Sequence, residues 1–481
     1  MKENIRLFSC HIAELYNFSL LQSEFPDNSK TGRVNPIHKS GPTDDIDNYR
    51  PISVLSIFSK IFEKLTYARM LSFIVRFNIL SSCQYGFRRG KSTTQAITKL
   101  LSYLMPAYHG KIFSACFFLD LRKAFDTVDH NILIRKLDHY GFRGSCCTYL
   151  KSYFTNRNQY VYLNGEKSDM RNISFGVPQG SILGPLCFSL FINDLPLAVD
   201  ADTVLFADDA AFIIKAASLE ELYSKINKLF ADLMSYLNCN RLVANSSKSK
   251  LMMFNSKPTQ NLPDLIFNNT AIEWVEEFKY LGLVITNKLS YSRHINKVSL
   301  NISRLTGIFS NLRSIVPLHI MFKLYFALVF PHLINHIVIW GSAPQSHLKP
   351  LSTRLNNLLR VILGVRWIEG RPDMHTDIMY KTSNLLKIES IYKLNLFKLL
   401  RQLLDGHLPD MYSYLLGPYL SPRYYKTRNG PFLHPPLTSE VERRSLPHQL
   451  ITLYDKLPAE YFNLNGNKAA KDFKKYLINT Q

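Results

Sequence analysis

Two adjacent aspartates, Asp208 and Asp209, interrupt an otherwise apolar run, Thr203-Val-Leu-Phe-Ala-Asp-Asp-Ala-Ala-Phe-Ile-Ile214. The flanks are short and rich in Val, Ile and Phe, the composition of two buried strands. Burying neighbouring carboxylates without a counter-charge is costly, because desolvation and mutual repulsion both oppose ionisation. Two arrangements satisfy them. One is a solvent-exposed turn at a hairpin tip, where Asp is a common turn residue. The other is a divalent cation, and a hard cation such as Mg²⁺ takes oxygen ligands.

The charge of the whole chain bears on that choice. Its 481 residues carry 58 Lys and Arg against 37 Asp and Glu, a net charge of +21. That excess points to a polyanionic partner, nucleic acid ahead of an anionic membrane. The length predicts two to four domains or subdomains, and a 46% hydrophobic content permits sizeable cores. The seven cysteines form no Cys-x-x-Cys pair, so they read as reduced intracellular thiols rather than a disulfide frame or zinc site. The N-terminus lacks the apolar core of a signal peptide. The most apolar stretch, Ile320 to Trp340, is broken by Lys323, Pro331, His332, Asn335 and His336. It reads as a buried helical pair rather than a membrane span.

Residues 34–41 and 48–53 read as loop, punctuated by Pro36, Gly41 and Pro51 and carrying the cations Lys39 and Arg50. A helix follows from Ile57, with Phe58, Ile61, Phe62 and Leu65 predicted on one face. Gln84-Tyr-Gly-Phe-Arg-Arg-Gly-Lys-Ser-Thr93 opens another helix through Ile97 and Leu101. Gly86 and Gly90 allow close backbone approach. Arg88, Arg89 and Lys91 precede a helix N-terminus, whose N–H groups favour anions. This is the chemistry of a phosphate cradle without P-loop spacing; a plain basic helix cap is the alternative.

Phe113–Leu119 reads as a buried strand ending at Asp120, a rigid place for a metal ligand. Asp126 and Asp129 read as helix-start acids before a helix through Leu133 and Leu137. Asn164-Gly165 signals a hairpin. Gly176-Val-Pro-Gln-Gly-Ser181 makes a sharp bend before a helix from Ile182 to Ile192, and Gln179 offers both a donor and an acceptor there. Ser218 and Glu221 form a capping box, and Leu222, Ile226, Leu229, Leu233 and Leu237 recur as a core face. Lys248 leads into a strand to Phe254, and Phe278–Ile285 reads as a strand or hairpin. From Tyr291 the pattern is helical, with Leu305, Ile308 and Leu312 periodic, followed by Leu355–Ile362, Leu385–Leu404 and a polar, Pro-rich stretch from Gly417 to Pro436.

Taken in order, these segments resemble the reverse transcriptase of LINE-type (non-LTR) retrotransposons, in its jockey-like branch. The resemblance rests on Asn48-Tyr-Arg-Pro-Ile-Ser, Gln84-Tyr-Gly-Phe-Arg-Arg-Gly-Lys-Ser, Leu119-Asp-Leu-Arg-Lys-Ala-Phe-Asp, Gly176-Val-Pro-Gln-Gly-Ser-Ile-Leu-Gly-Pro, Phe206-Ala-Asp-Asp, Lys248-Ser and Phe278-Lys-Tyr-Leu-Gly. Each is weak alone; seven in order are specific. They cover residues 34–365, with a looser match to the C-terminus.

The resemblance implies an α+β right-hand polymerase. Its regions would be a lead-in (1–34), fingers (35–110), an antiparallel-sheet palm (111–290), a helical thumb (291–370) and a helical C-terminal tail (371–481). It implies an RNA-directed DNA polymerase taking an RNA template, a DNA primer or target and deoxynucleoside triphosphates, with two Mg²⁺ ions for which Mn²⁺ can substitute. Asp120 and Asp208 would be the principal metal ligands, with Asp209 weaker or indirect. Phe125 would screen the sugar 2′-position, with Leu121 nearby. Gln179 and Gly180 would lie by the templating pair. Lys248 would approach the triphosphate, and Arg88 and Lys91 would contact it. Family members usually carry an N-terminal endonuclease, which the chain is expected to lack, and Arg371-Pro-Asp373 is not a nuclease signature. A catalytically silent RNA-binding remnant is the alternative function. An intracellular location, nuclear or cytoplasmic, with no membrane partner, is expected.

Overall fold

The computed structural model describes residues 5–39, 41–109, 112–254, 262–365, 367–368, 371–372, 374–420, 431–434, 440–458 and 460–480. The chain forms two compact units, one of residues 1–92, 111–251 and 259–274, the other of residues 93–110, 252–258 and 275–481. Helices and sheets are both present, as the α+β expectation requires.

The first unit opens with helix α1 (Ile5–Leu21), strands β1 (Thr31–His38) and β2 (Tyr49–Val54) and helix α2 (Ile57–Arg76). Helix α3 (Thr93–His109) belongs to the second unit. Strand β3 (Phe113–Leu119) and helices α4 (His130–His139) and α5 (Ser145–Phe154) return the chain to the first. Strands β4 (Arg157–Leu163), β5 (Glu166–Lys167) and β6 (Arg171–Ile173) follow, then helix α6 (Gly184–Phe191). Strands β7 (Asp202–Phe206) and β8 (Asp209–Ala216), helix α7 (Leu219–Cys239) and strand β9 (Lys250–Phe254) complete the part that matters here.

One sheet runs β7-β8-β3-β9, with β8 antiparallel to both β7 and β3. Six of the seven residues of β3 are buried, so this strand reads as a continuous apolar run rather than an alternation. Helix α7 presents to the core the predicted stripe of Leu222, Ile226, Leu229, Leu233 and Leu237. Its start is the expected capping box: Ser218 Oγ accepts from Glu221 N, while Glu221 Oε2 accepts from Ala217 N.

The second sheet runs β2-β1-β4-β5, with β6 also on β4. The Asn164-Gly165 turn sits at its tip, both residues in the left-handed region (φ 52° and 91°). Here the structure corrects the sequence reading, for residues 31–38 and 49–54 are paired strands rather than loop. Pro36 and Pro51 face each other on one rung, so the two residues that cannot donate to the ladder share a single position. The structure also rotates the predicted face of α2. Phe62 is buried, but Phe58 and Leu65 are exposed, and the inward stripe is Ser59, Phe62, Glu63, Thr66, Met70 and Ile74. Hydrophobic periodicity missed it because half of that stripe is polar.

In the second unit, the sequence-predicted Phe278–Ile285 hairpin appears as two antiparallel strands, Glu277–Tyr280 and Leu283–Thr286. The helix Ser292–Leu312 buries Ile295, Val298, Ile302 and Phe309. The periodic Leu305 and Leu312 are only half-buried and Ile308 is exposed, because a second apolar stripe on that helix faces outward. The apolar stretch around Ile320–Trp340 is a broken series of short helices, interrupted by a π-helical turn at Tyr325–Val329 and by His336 in the left-handed region. Among the described residues no helix is long and apolar enough to cross a membrane. Helix Ile388–Leu404 matches the Leu385–Leu404 expectation. Asp373 and most of the Pro-rich stretch from Gly417 to Pro436 lie outside the described residues. All seven cysteines are free thiols.

Candidate polymerase site

The two acids of the opening motif sit at the tip of a hairpin, Asp208 in its two-residue turn and Asp209 at the start of β8. The ladder between β7 and β8 closes at Phe206↔Asp209, leaving Ala207 and Asp208 as the turn. Ala207 adopts φ +58°, unusual for a residue with a Cβ, and the surroundings hold it there. Gln84, fully buried, accepts from Ala207 N (3.1 Å) and Gly86 N (2.8 Å) through its Oε1. Tyr85 N donates to Leu205 O and Leu205 N to Cys83 O, so residues 83–86 run beside β7 as a short parallel addition. Gly86 packs directly against the backbone at Ala207, the close approach its sequence suggested.

Asp120 stands at the end of β3. The last rung, Leu119↔Ala210, places it beside the Asp208–Asp209 turn. Its backbone is pinned from the far side: Asp120 N donates to Ser249 Oγ (3.1 Å), Asn245 N donates to Asp120 O (2.8 Å), and Leu121 bridges to Ala244. Thus the segment that leads to Lys248 is stitched to the strand end that carries Asp120.

These elements border a cavity of about 1270 Å³. Asp120, Leu121, Phe125, Gln179, Asp208 and Lys248 line it; Asp209, Gly180, Arg88 and Lys91 do not. Phe125 is wedged in place, stacked on Phe188 at 4.4 Å between centroids. Gln179 donates from Nε2 to both carboxylate oxygens of Asp126 (2.9 Å each). Asp126 is therefore not a helix-start acid, whereas Asp129 is, accepting from Asn131 N and Ile132 N at the start of α4. Gly180, at φ +114°, lies next to Gln179 on the exposed rim of its bend, and a Cβ there would come within 2.6 Å of Ser53 O. Arg88 turns away from the cavity, donating to Ser81 O (2.7 Å) and Gln84 O (3.2 Å). Lys91 lies over the Tyr85 ring. Their donors serve the 81–91 turn, which is why a basic run ahead of a helix did not translate into cavity lining.

Lys39 and Arg50, which the sequence reading left as loop cations, line the cavity from the ends of the β1–β2 hairpin, and Arg122 and Lys123 line it after β3. Asp47, between β1 and β2, pairs with Lys123 (2.7 Å) and Arg122 (3.4 Å). Their carboxylate–cation neighbours could not be paired from sequence, because the groups meet across separate segments.

The electrostatics of the acids follow from this crowding. Burial pushes the Asp208 carboxyl up and Asp120 adds to it, while Lys39 and Arg50 pull it back. Asp209 keeps part of its residue surface exposed, yet loss of water around its carboxyl raises it to about 6, with repulsion from Asp208 and Asp120 adding to this and Lys39 opposing it. No three His, Cys, Asp or Glu side chains among the described residues are gathered closely enough to hold a metal as they stand. The donor set nevertheless fits a hard divalent cation in kind: carboxylates from two backbone segments, placed on neighbouring strand ends and mutually repelled.

A pH dependence follows. A carboxyl raised in the folded state stabilises that state while protonated. The contribution is present below the ordinary value of 3.8 and is lost as pH climbs to about 6. A divalent cation relieves the repulsion but competes with the proton. The rise in unfolding temperature caused by Mg²⁺ is therefore expected to be small at about pH 5 and to level off above about pH 7. An equal rise at both pH values would remove these acids from the cation site.

A model of the reverse transcriptase (RNA-dependent DNA polymerase) family matches residues 37–285, just over half of the chain. The chain belongs to the reverse transcriptase family. It is 29% identical over 380 residues to the RNA-directed DNA polymerase from mobile element jockey of Drosophila melanogaster, covering 76% of this chain and 41% of that protein. It is 28% identical over 388 residues to the probable RNA-directed DNA polymerase from transposon X-element of the same fly, covering 77% and 42%. The chain thus spans about two fifths of the length of these relatives. Among solved structures, apo telomerase from Candida tropicalis aligns over 74% of this chain and 58% of that one, at 12% identity and a TM-score of 0.40.

Proposed function

We propose that this reverse transcriptase chain is an RNA-directed DNA polymerase of a non-LTR retrotransposon, extending a DNA primer 3′-hydroxyl on an RNA template inside the cell. The observation that supports it best is the meeting of strand-end Asp120 and hairpin-tip Asp208 at one cavity that six Lys and Arg residues also line. In this reading residues 35–110 serve as fingers, 111–290 as palm, 291–370 as thumb and 371–481 as a tail.

Reverse transcriptases work with divalent metal ions. Asp120 and Asp208 would hold two Mg²⁺ ions, or Mn²⁺ in their place, with Asp209 the more peripheral acid because it does not line the cavity. The metals would activate the primer hydroxyl and neutralise the departing pyrophosphate. Lys39, Arg50, Arg122, Lys123 and Lys248 would meet the triphosphate of the incoming deoxynucleotide with opposite charge, largely by position and electrostatics. Arg88 and Lys91, which turn away, would support the fingers turn rather than the triphosphate.

Gln179 and Gly180 would border the templating pair. Phe125, fixed against Phe188, would close the space beside the sugar 2′-carbon. Leu121 would back it as the buried residue after Asp120. Phe125→Ala is expected to improve ribonucleotide incorporation relative to deoxynucleotide by about ten- to a hundredfold, since a steric gate discriminates through excluded volume. Unchanged discrimination in single-nucleotide extension would remove the gate from Phe125.

The central test is extension of a DNA primer annealed to RNA, with deoxynucleoside triphosphates and Mg²⁺. Salt-sensitive RNA binding without any extension would instead support a catalytically silent RNA-binding remnant.

A further inference from the structure

Glu63, on α2, has no exposed surface. It lies beside Tyr153, whose phenol it meets, and under the charge of the buried Arg157 guanidinium. A carboxylate in such a place carries a large desolvation penalty, and burial indeed pushes its carboxyl up. Arg157, itself buried, offsets part of that penalty by charge, but apolar packing would fill the same space at lower cost, so the acid's place needs a further reason.

Its hydrogen bonds supply one. Oε1 accepts from Tyr153 Oη (2.8 Å) and Oε2 accepts from Ile182 N (2.6 Å), with the amide of Leu183 also facing it. These amides precede α6, whose own N-cap residue, Leu183, gives no side-chain cap. Ser181 Oγ accepts from Gly184 N (2.9 Å), and the buried acid from another helix takes the two amides before it, meeting the positive end of α6.

That helix end is the exit of the Gly176–Ser181 bend. The bend's front is held at several points. Val177 N donates to Phe125 O, Gly176 N to Val128 O, Ser53 N to Gln179 O, and the Gln179 amide to Asp126. Glu63 holds its back.

We infer that Glu63 is a positioning residue for nucleotide selection, fixing Gln179 and Gly180 against the incoming pair by anchoring the bend at Ile182. This rests on the reading of the chain as a template-directed polymerase. The acid touches no substrate; it acts through the backbone.

The test is single-nucleotide extension by the full chain, with concentrations set by active-site titration, measuring KM and kcat for the correct deoxynucleotide and the rate for a mismatched one. Glu63→Leu leaves the Ile182 amide unpaired. It is expected to raise KM about tenfold and to erode discrimination against the mismatch by a similar factor. Glu63→Gln, whose oxygen still accepts from Ile182, should stay within about threefold of the parent. Tyr153→Phe, which removes only the phenol contact, should leave both quantities unchanged. If Glu63→Leu does not fold, Glu63→Asp withdraws the carboxylate by one methylene and should move KM in the same direction. Parental KM and discrimination in the folded Leu or Asp variant would overturn the inference and leave Glu63 a structural acid. A parent protein that extends no primer would overturn the polymerase reading, and the inference with it.

Discussion

Asp208→Ala is expected to lower primer extension by at least about a thousandfold, because it removes a carboxylate on which transition-state charge stabilisation would depend. The fold should tolerate the change. Asp208 is at the second position of a two-residue turn, its side chain serves no hydrogen bond that closes the β7–β8 ladder, and the turn is held by Gln84 and residues 83–86. Removing a crowded, repelled carboxylate is expected to raise the unfolding temperature slightly in the absence of divalent cation. Asp209→Asn should cost much less, about ten- to a hundredfold, since that side chain lies outside the cavity lining. Steady-state extension with matched unfolding curves checks both. Equal activity of parent and Asp208→Ala would end the two-metal assignment.

Gly86→Ala should destabilise the protein by about 2–4 kcal/mol and inactivate what remains folded. A Cβ at Gly86 would fall on the backbone nitrogen of Ala207. Neither side can yield cheaply. Ala207 already holds a left-handed φ and gives its N–H to Gln84, which also binds the Gly86 N–H. Relief would push residues 83–86 off β7 and shift the turn carrying Asp208. At Gly90 a Cβ meets nothing within 4 Å, so Gly90→Ala should suffer only the strain of its positive φ, about 1 kcal/mol. Denaturant titration of the two variants separates the effects. Similar losses at both positions would show that the Gly86–Ala207 contact is not tight in solution.

Much of the first unit was legible in the sequence because its signals are local. The apolar run of β3, the hydrophobic flanks around Asp208–Asp209, the Asn164-Gly165 turn and the Ser218–Glu221 cap each lie within a few residues. What escaped is what depends on distant partners. The β1–β2 hairpin hid behind two prolines that share one rung. The buried face of α2 was missed because Glu63 and Thr66 are polar yet satisfied by groups from α1, α5 and the start of α6. Asp126 looked like a helix-start acid until Gln179, 53 residues on, claimed its carboxylate. Arg88 and Lys91 had the right charge for a triphosphate, but the turn they close bends their donors elsewhere.

The stitching of Asp120 to Ser249 also constrains when the site can exist. That bond spans 129 residues, and β3 finds its neighbour β8 only about ninety residues downstream. Closing such loops costs entropy before any contact returns it, which slows folding of non-local sheets. During synthesis, a nascent chain stopped before Ser249 has the three acids but not the peg that sets the angle of Asp120. The final placement of Asp120 would then come late on the ribosome, after the segment leading into β9 has emerged, rather than growing with the length of the chain.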